Sequence, residues 1–167
     1  ELARALEVGV GRIVVDSFDE VDRLERLTPG AVHRPQVLVR VTPGVEAHTH
    51  EYVRTGQDDS KFGSGLRSGA AGQAVERLGA VASVDLVGLH AHIGSQVFVV
   101  DSFFQAVEAL APFVNAQGLP ELSIGGGLGV AYIEGESAPS ITEWARAVRA
   151  ACVDAGVTAR VSAEPGR

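Results

Sequence analysis

Five short runs of β-branched and apolar residues punctuate the chain, and each stops at a polar or glycine-bearing cluster. They span residues 12–16 (RIVVD), 36–41 (QVLVRV), 84–92 (VDLVGLHAH), 122–125 (LSIG) and 159–164 (ARVSAE). Near-continuous hydrophobicity of this kind suits parallel strands covered on both faces. Helical patterns separate most of the runs. Ser17 and Glu20 have capping-box spacing ahead of Phe18, Val21, Leu24 and Leu27. The pairs Ser102–Gln105 and Ser140–Glu143 repeat that spacing before two further helical patterns. Gly156 offers a stop for the last helix, and Pro112 is expected to kink or shorten the one before it. Gly72 and Gly79 weaken the helical pattern between the second and third strands.

Alternation of this type predicts parallel βα units joined by right-handed crossovers. The unusual residues fall at one end of the predicted strands. Asp16 ends the first, Arg40 and Thr42 the second, His90 and His92 the third, Gly125–Gly127 the fourth, and Glu164 and Arg167 the fifth. A (β/α)₈ barrel carries its active site on that face, and an open doubly wound sheet uses the same side. Five strands are too few to close a barrel, which takes about 250 residues. The expected fold is therefore α/β, a partial (β/α)₈ TIM barrel holding about strands four to eight, with residues 1–167 forming one incomplete barrel domain. The stretch from Thr42 to Ser68 is too long for an ordinary βα connection, and such loops are usually functional or disordered.

Composition narrows the function. Apolar residues make up 46% and charged residues 21%, as in a soluble globular protein. The formal charge of −7 argues against non-specific nucleic-acid binding. No apolar run reaches the ~18 residues that span a membrane, and the opening ELARALEVG reads as helix, not as a signal or transit peptide. Cys152 is the sole cysteine, so no disulfide framework exists, which fits a reducing compartment. The expected location is the cytoplasm. Among 14 basic residues, only Lys61 is a lysine.

Three motifs carry candidate chemistry. SIGGGLG (Ser123–Gly129) places three glycines directly after a strand, where exposed backbone N–H groups admit a phosphate. A plain tight turn would also explain it, and it does not fit the dinucleotide fingerprint. GLHAHIGSQ (Gly88–Gln96) holds His90 and His92 at strand spacing, so both point to one side. Structural histidines are one reading and metal ligands another, since His48 and His50 form a second such pair. No carboxylate-rich ligand set accompanies them, and no metal is expected. AEPGR sets Glu164 and Arg167 across a Pro-Gly turn, either as a surface ion pair or as an acid and a cation aimed at a cofactor.

Together, LVRVTPGVEAHTHEYVRTGQDDSKFG, GLHAHIGSQ, IGGGLG and AEPGR closely resemble diaminopimelate decarboxylases, pyridoxal-phosphate enzymes of the alanine-racemase-like barrel class within the ornithine/diaminopimelate/arginine decarboxylase family. The glycine turn and EPGR are shared across that family, whereas TPGVEAHTHEY and HIGSQ point to the diaminopimelate branch. The resemblance covers essentially the whole chain and implies a site. His92 resembles the histidine that stacks on the pyridine ring, and Ser95 a phosphate ligand. Gly125, Gly126 and Gly127 match the phosphate loop, and Glu164 the acid facing the ring nitrogen. Pro165, Gly166 and Arg167 match further cofactor contacts, with Arg167 also implied in substrate binding. The catalytic pair is then His92 and Glu164. Lys61 resembles a lysine at a homodimer interface, not the cofactor lysine.

The implied reaction converts meso-2,6-diaminopimelate to L-lysine and CO₂ with pyridoxal 5′-phosphate. The family's Schiff-base lysine belongs to a first barrel strand, and further substrate residues to a C-terminal β-domain; neither is expected within this sequence. Ser64 departs from the family pattern, which favours a bulky apolar residue there. Alternatives remain: a related decarboxylase of arginine, ornithine or carboxynorspermidine, a non-catalytic pyridoxal-phosphate barrel, or a metal-dependent barrel hydrolase.

Overall fold

Six strands, parallel wherever they pair, form one sheet in the computed structural model, which describes residues 1–31, 33–45 and 62–164. They are β1 (Ile13–Val15), β2 (Gln36–Thr42), β3 (Ser64–Gly65), β4 (Asp85–His90), β5 (Glu121–Ser123) and β6 (Arg160–Ser162). The main path runs β1-β2-β4-β5-β6, with β3 paired to the end of β2. Helix α1 (Leu2–Val8) precedes β1, and four helices lie between strands: α2 (Phe18–Leu27), α3 (Ala70–Ala80), α4 (Asp101–Gln117) and α5 (Ile141–Asp154). The five expected strands are present with shifted ends: β1, β4 and β6 are shorter than expected, β2 runs one residue further, to Thr42, and β5 begins one residue earlier, at Glu121; β3 is an addition. Two residues carry no periodic signal; their pairing to Val41 and Thr42 places them in the sheet. Ser64 is buried there opposite Val41, and nothing further explains its departure from the family pattern.

β2 shows why the strands read as continuous apolar runs, because Val37, Leu38 and Val39 are all buried, one after another. Val21, Leu24, Leu78, Phe103, Val107, Leu110, Trp144 and Val148 bring four helices into one cluster with Val37, Val39, Leu89 and Leu122. Phe103 and Trp144 join α4 to α5 edge to face, with centroids 5.7 Å apart. Gly88 lets β4 approach β5, since a Cβ there would collide with the Glu121 carbonyl. Below this core, Arg12, just before β1, reaches Glu121 at the start of β5, three places along the sheet path. That reach fits a sheet curled like a barrel wall. Among the described residues the sheet does not close; β1 and β6 are its edges.

The helix starts correct two expectations. Ser140 and Glu143 form the full capping box of α5. At α2, Ser17 accepts from the Glu20 N–H, but the Glu20 carboxylate turns back to the N–H of Asp16, giving half a box. At α4 the expected box does not form. The N-cap is Val100, Ser102 is buried within the first turn, and Gln105 bonds to Asp101 instead. Nor does Pro112 shorten that helix, which runs on to Gln117 because Leu110, Ala111 and Val114 are held in the core.

Candidate functional site

Those of the polar residues expected at the strand ends that are described come together in one place, at the C-terminal edge of the sheet. Asp16 follows β1, and its Oδ1 accepts from the Arg40 guanidinium on β2 at 2.8 Å and from the Gly63 N–H at 3.2 Å. Arg40 also lies over the Phe62 ring, 4.9 Å from its centroid. Thr42 donates to the Phe62 carbonyl at 2.7 Å, so the residues before β3 are tied to the end of β2.

The glycine turn and the histidine motif are packed directly against each other. Gly125 and Gly127 have φ of +65° and +93°, in the left-handed region that glycine tolerates. A Cβ on Gly125 would strike the Ala91 carbonyl and crowd His92, and one on Gly127 would overlap the Gly94 carbonyl. The N–H of Val97 donates to the Gly127 carbonyl, and that of Gly129 returns to Val97. Gln96 completes the clamp. It holds a positive φ of +56°, and its side-chain amide bonds both the N–H and the carbonyl of Val130. Glu164 joins from just past β6, its N–H donating to the Gly125 carbonyl at 2.8 Å.

One acidic oxygen collects two donors. Glu164 Oε1 lies 3.3 Å from His90 Nε2 and accepts from Ser123 Oγ at 3.1 Å. Ser123 Oγ in turn accepts from the Gly125 N–H at 3.4 Å. Burial depresses the His90 pKa, assisted by the Arg40 charge and opposed by Glu164 and Asp16. Burial also depresses His92, with Arg40 and His90 acting in the same direction and Glu164 against. Both imidazoles are therefore held towards the neutral form.

His92, Ser95, Gly125–Gly127 and Glu164 thus lie in one region. His90 and Ser123 were missed as partners of Glu164; their positions at strand ends were the available signal. Pro165, Gly166, Arg167, Lys61, His48 and His50 lie outside the described residues. Among the described residues no group of three or more His, Cys, Asp or Glu side chains could hold a metal ion, and no helix is long and apolar enough to cross a membrane.

The arrangement fits a flat, phosphorylated heteroaromatic cofactor such as pyridoxal phosphate. Gly126 and Gly127 are buried, yet among the described residues their N–H groups donate to no protein acceptor. Adjacent unsatisfied N–H groups in a glycine turn form an anion-binding concavity. The carboxylate of Glu164 stands near that turn, with Oε2 unused among the described residues.

Comparison with known proteins agrees. Residues 1–167 match the family described as pyridoxal-dependent decarboxylase, pyridoxal binding domain. Diaminopimelate decarboxylase of Mycobacterium tuberculosis is 42% identical over 183 residues, covering 100% of this chain and 41% of that protein. The protein of the same name from Bacillus subtilis is 42% identical over 154 residues, covering 86% of this chain and 34% of its own length. A crystal structure of diaminopimelate decarboxylase from Helicobacter pylori complexed with L-lysine superposes with a TM-score of 0.85 at 28% identity, over 99% of this chain and 42% of that one. The chain spans about two fifths of the length of the curated relatives it matches from end to end. A match running from the first residue to the last, with the same fold beneath it, makes this chain a member of the pyridoxal-dependent decarboxylase family, in the portion that binds pyridoxal.

Proposed function

We propose that this chain forms the cofactor-binding part of an enzyme that removes one carboxylate of meso-2,6-diaminopimelate, releasing CO₂ and L-lysine. The observation that carries the reading is the interlock of three motifs. Gly127 packs on Gly94 of HIGSQ, and Gly125 accepts from the backbone of Glu164 in AEPGR. When bound, pyridoxal phosphate supplies an electron sink for the charge left at Cα as CO₂ departs.

In this reading the chain's own residues bind, orient and hold a proton. The N–H groups of Gly126 and Gly127, with Ser95, Gly125, Gly166 and Arg167, grip the phosphate and anchor one end of the cofactor, and Pro165 is a further cofactor contact. Glu164 presents a carboxylate oxygen to the ring nitrogen and holds a proton on it. His92 fixes the plane of the ring, which aligns the bond to be broken. Its neutrality suits that place, because a neutral imidazole lies against a cationic ring without charge repulsion. Arg167 also contributes to substrate binding, and the enzyme acts as a cytoplasmic homodimer.

The diaminopimelate assignment is supported by the names of the relatives and by the TPGVEAHTHEY and HIGSQ motifs. Diaminopimelate carries a second amino-acid head, so its pocket must satisfy both a carboxylate and an ammonium. A site built on such partners rejects analogues that leave them unpaired, by as much as about 10⁴-fold. Measuring CO₂ release from meso-diaminopimelate, L-lysine, L-ornithine and L-arginine with the enzyme at its relatives' length tests this. Diaminopimelate should be the preferred substrate by a wide margin. Faster turnover of arginine or ornithine would overturn the substrate while leaving the cofactor site standing.

A further inference from the structure

The groups gathered on Glu164 Oε1 have a geometry of their own. His90 is 6% exposed, and its Nε2 meets this oxygen at 3.3 Å from β4. Ser123 Oγ meets it at 3.1 Å from β5 while accepting the Gly125 N–H. Two neighbouring strands thus hold one oxygen of an otherwise exposed carboxylate, whose side chain is 60% accessible. We propose that His90 and Ser123 are positioning residues that pin Glu164 by Oε1 and so aim Oε2 at the ring nitrogen of the cofactor. The inference rests on the proposed role of Glu164 as the ring partner.

The remaining atoms of His90 fit that role. A single donor suffices at Nε2, and Nδ1 is buried without a partner among the described residues. Protonating Nδ1 would bury a second donor with nothing to accept it, so the pinning form is the neutral Nε2–H tautomer. The charged and titratable groups facing His90 are Glu164 after β6, Arg40 on β2, Asp16 after β1 and His92 beyond its own strand. Arg40 disfavours the imidazolium while Glu164 and Asp16 favour it, and burial decides the balance. Ser123 adds a second function, since its hydroxyl links the turn that would grip the phosphate to the acid that would hold the ring.

The test is the ¹⁵N chemical shift of the pyridine nitrogen in isotope-labelled pyridoxal phosphate bound to the holoenzyme, read beside kcat and KM. Glu164→Gln should move the signal towards the unprotonated position. His90→Leu should move it part of the way and lower kcat about 10-fold, the effect of losing one hydrogen bond to a charged acceptor, while KM changes little. His90→Gln, which retains an N–H donor of similar reach, should restore both. A signal unchanged by His90→Leu but shifted by Glu164→Gln overturns the positioning role alone. A signal unchanged by Glu164→Gln removes the ring partner, and the proposal with it. Should the His90→Leu variant fail to fold, Ser123→Ala deletes the other donor to the same oxygen, and an unchanged signal there also overturns the proposal.

Discussion

At the N-terminal edge of the sheet, Glu121 is 6% exposed and takes hydrogen bonds from Arg12, Arg160 and Ser162. At the C-terminal edge His90 is equally buried, yet its Nδ1 has no partner among the described residues. Nearby, Gly126 and Gly127 keep buried N–H groups without protein acceptors among those residues, and Gln96 holds a left-handed backbone. One edge satisfies its polar groups internally. The other leaves buried donors and one oxygen of an acid without protein partners among the described residues. In a barrel wall that division separates stability from function. Substitutions at the two edges should accordingly act on different observables.

The largest effect is expected at the C-terminal edge, the proposed functional one. Glu164→Gln keeps the size of the side chain and removes its charge. Turnover should fall about 100-fold or more, as when an electrostatic contact made in the transition state is lost. Unfolding free energy should change by less than about 0.5 kcal/mol, because the side chain is largely exposed. Steady-state kinetics and urea unfolding of the same preparation read both quantities. A large stability loss with turnover intact would erase the distinction between the edges.

Glu121→Ala should do the reverse. Its carboxylate is buried, but its partners Arg12 and Arg160 are 35% and 70% exposed at their side chains and can rehydrate. The cost should therefore fall below that of breaking a fully buried pair, at about 2 kcal/mol, with turnover per folded molecule unchanged. Glu121 lies at the opposite end of its strand from the glycine turn, so lost turnover without lost stability would contradict this division.

A pH titration of stability separates the edges without mutation. Burial, aided by Arg40, lowers the folded-state pKa of both His90 and His92 from the ordinary 6.5. The unfolded chain then binds more protons as pH falls below about 6.5, so this contribution is intact above that pH and declines beneath it. At Glu121 burial acts to raise the pKa, but hydrogen bonds from Arg160, Arg12 and Ser162 outweigh it and hold the value below 4.5. Its contribution is present above about pH 4.5 and is lost as pH falls through the lower folded value. Thermal melts between pH 8 and 3 should show the histidine decline first. Replacing His90 with Gln should weaken that early decline, and replacing Glu121 with Gln should alter only the later one.

The strands were legible because β-branched residues run almost unbroken through them; their ends were less so. The β5 run was read through Gly125, yet the strand stops at Ser123, ahead of the glycine turn. The Ser102 box had the right spacing in the wrong place, because helix α4 begins at Asp101 and draws Ser102 into the core. In the candidate site, the placement of His92, the glycine turn and Glu164 after strands was legible because each belongs to a compact motif. Their support was not. His90 and Ser123 meet Glu164 only because β4, β5 and β6 are neighbours, a fact of strand order. The opposite edge was hidden for the same reason, as Arg12 and Glu121 stand 109 positions apart.

The smallest effect should come from helix α3, which contributes no residue to either edge's polar cluster. Gly72 and Gly79 lie within α3, and neither has a positive φ. A Cβ at either position meets nothing within 4 Å, so alanine adds no clash. The remaining difference is backbone freedom, which glycine loses to a greater extent on entering a helix. Each Gly→Ala change should stabilise the protein by about 0.5–1 kcal/mol, with the lower figure expected near the helix ends. Combined, the two should raise the urea midpoint while leaving cofactor affinity and turnover untouched. They also provide a background in which destabilising Glu121 variants remain folded long enough to assay. A double variant that lost stability would mean that α3 requires these glycines for a close approach absent from the described residues, and one that lost turnover would tie this helix to the functional edge.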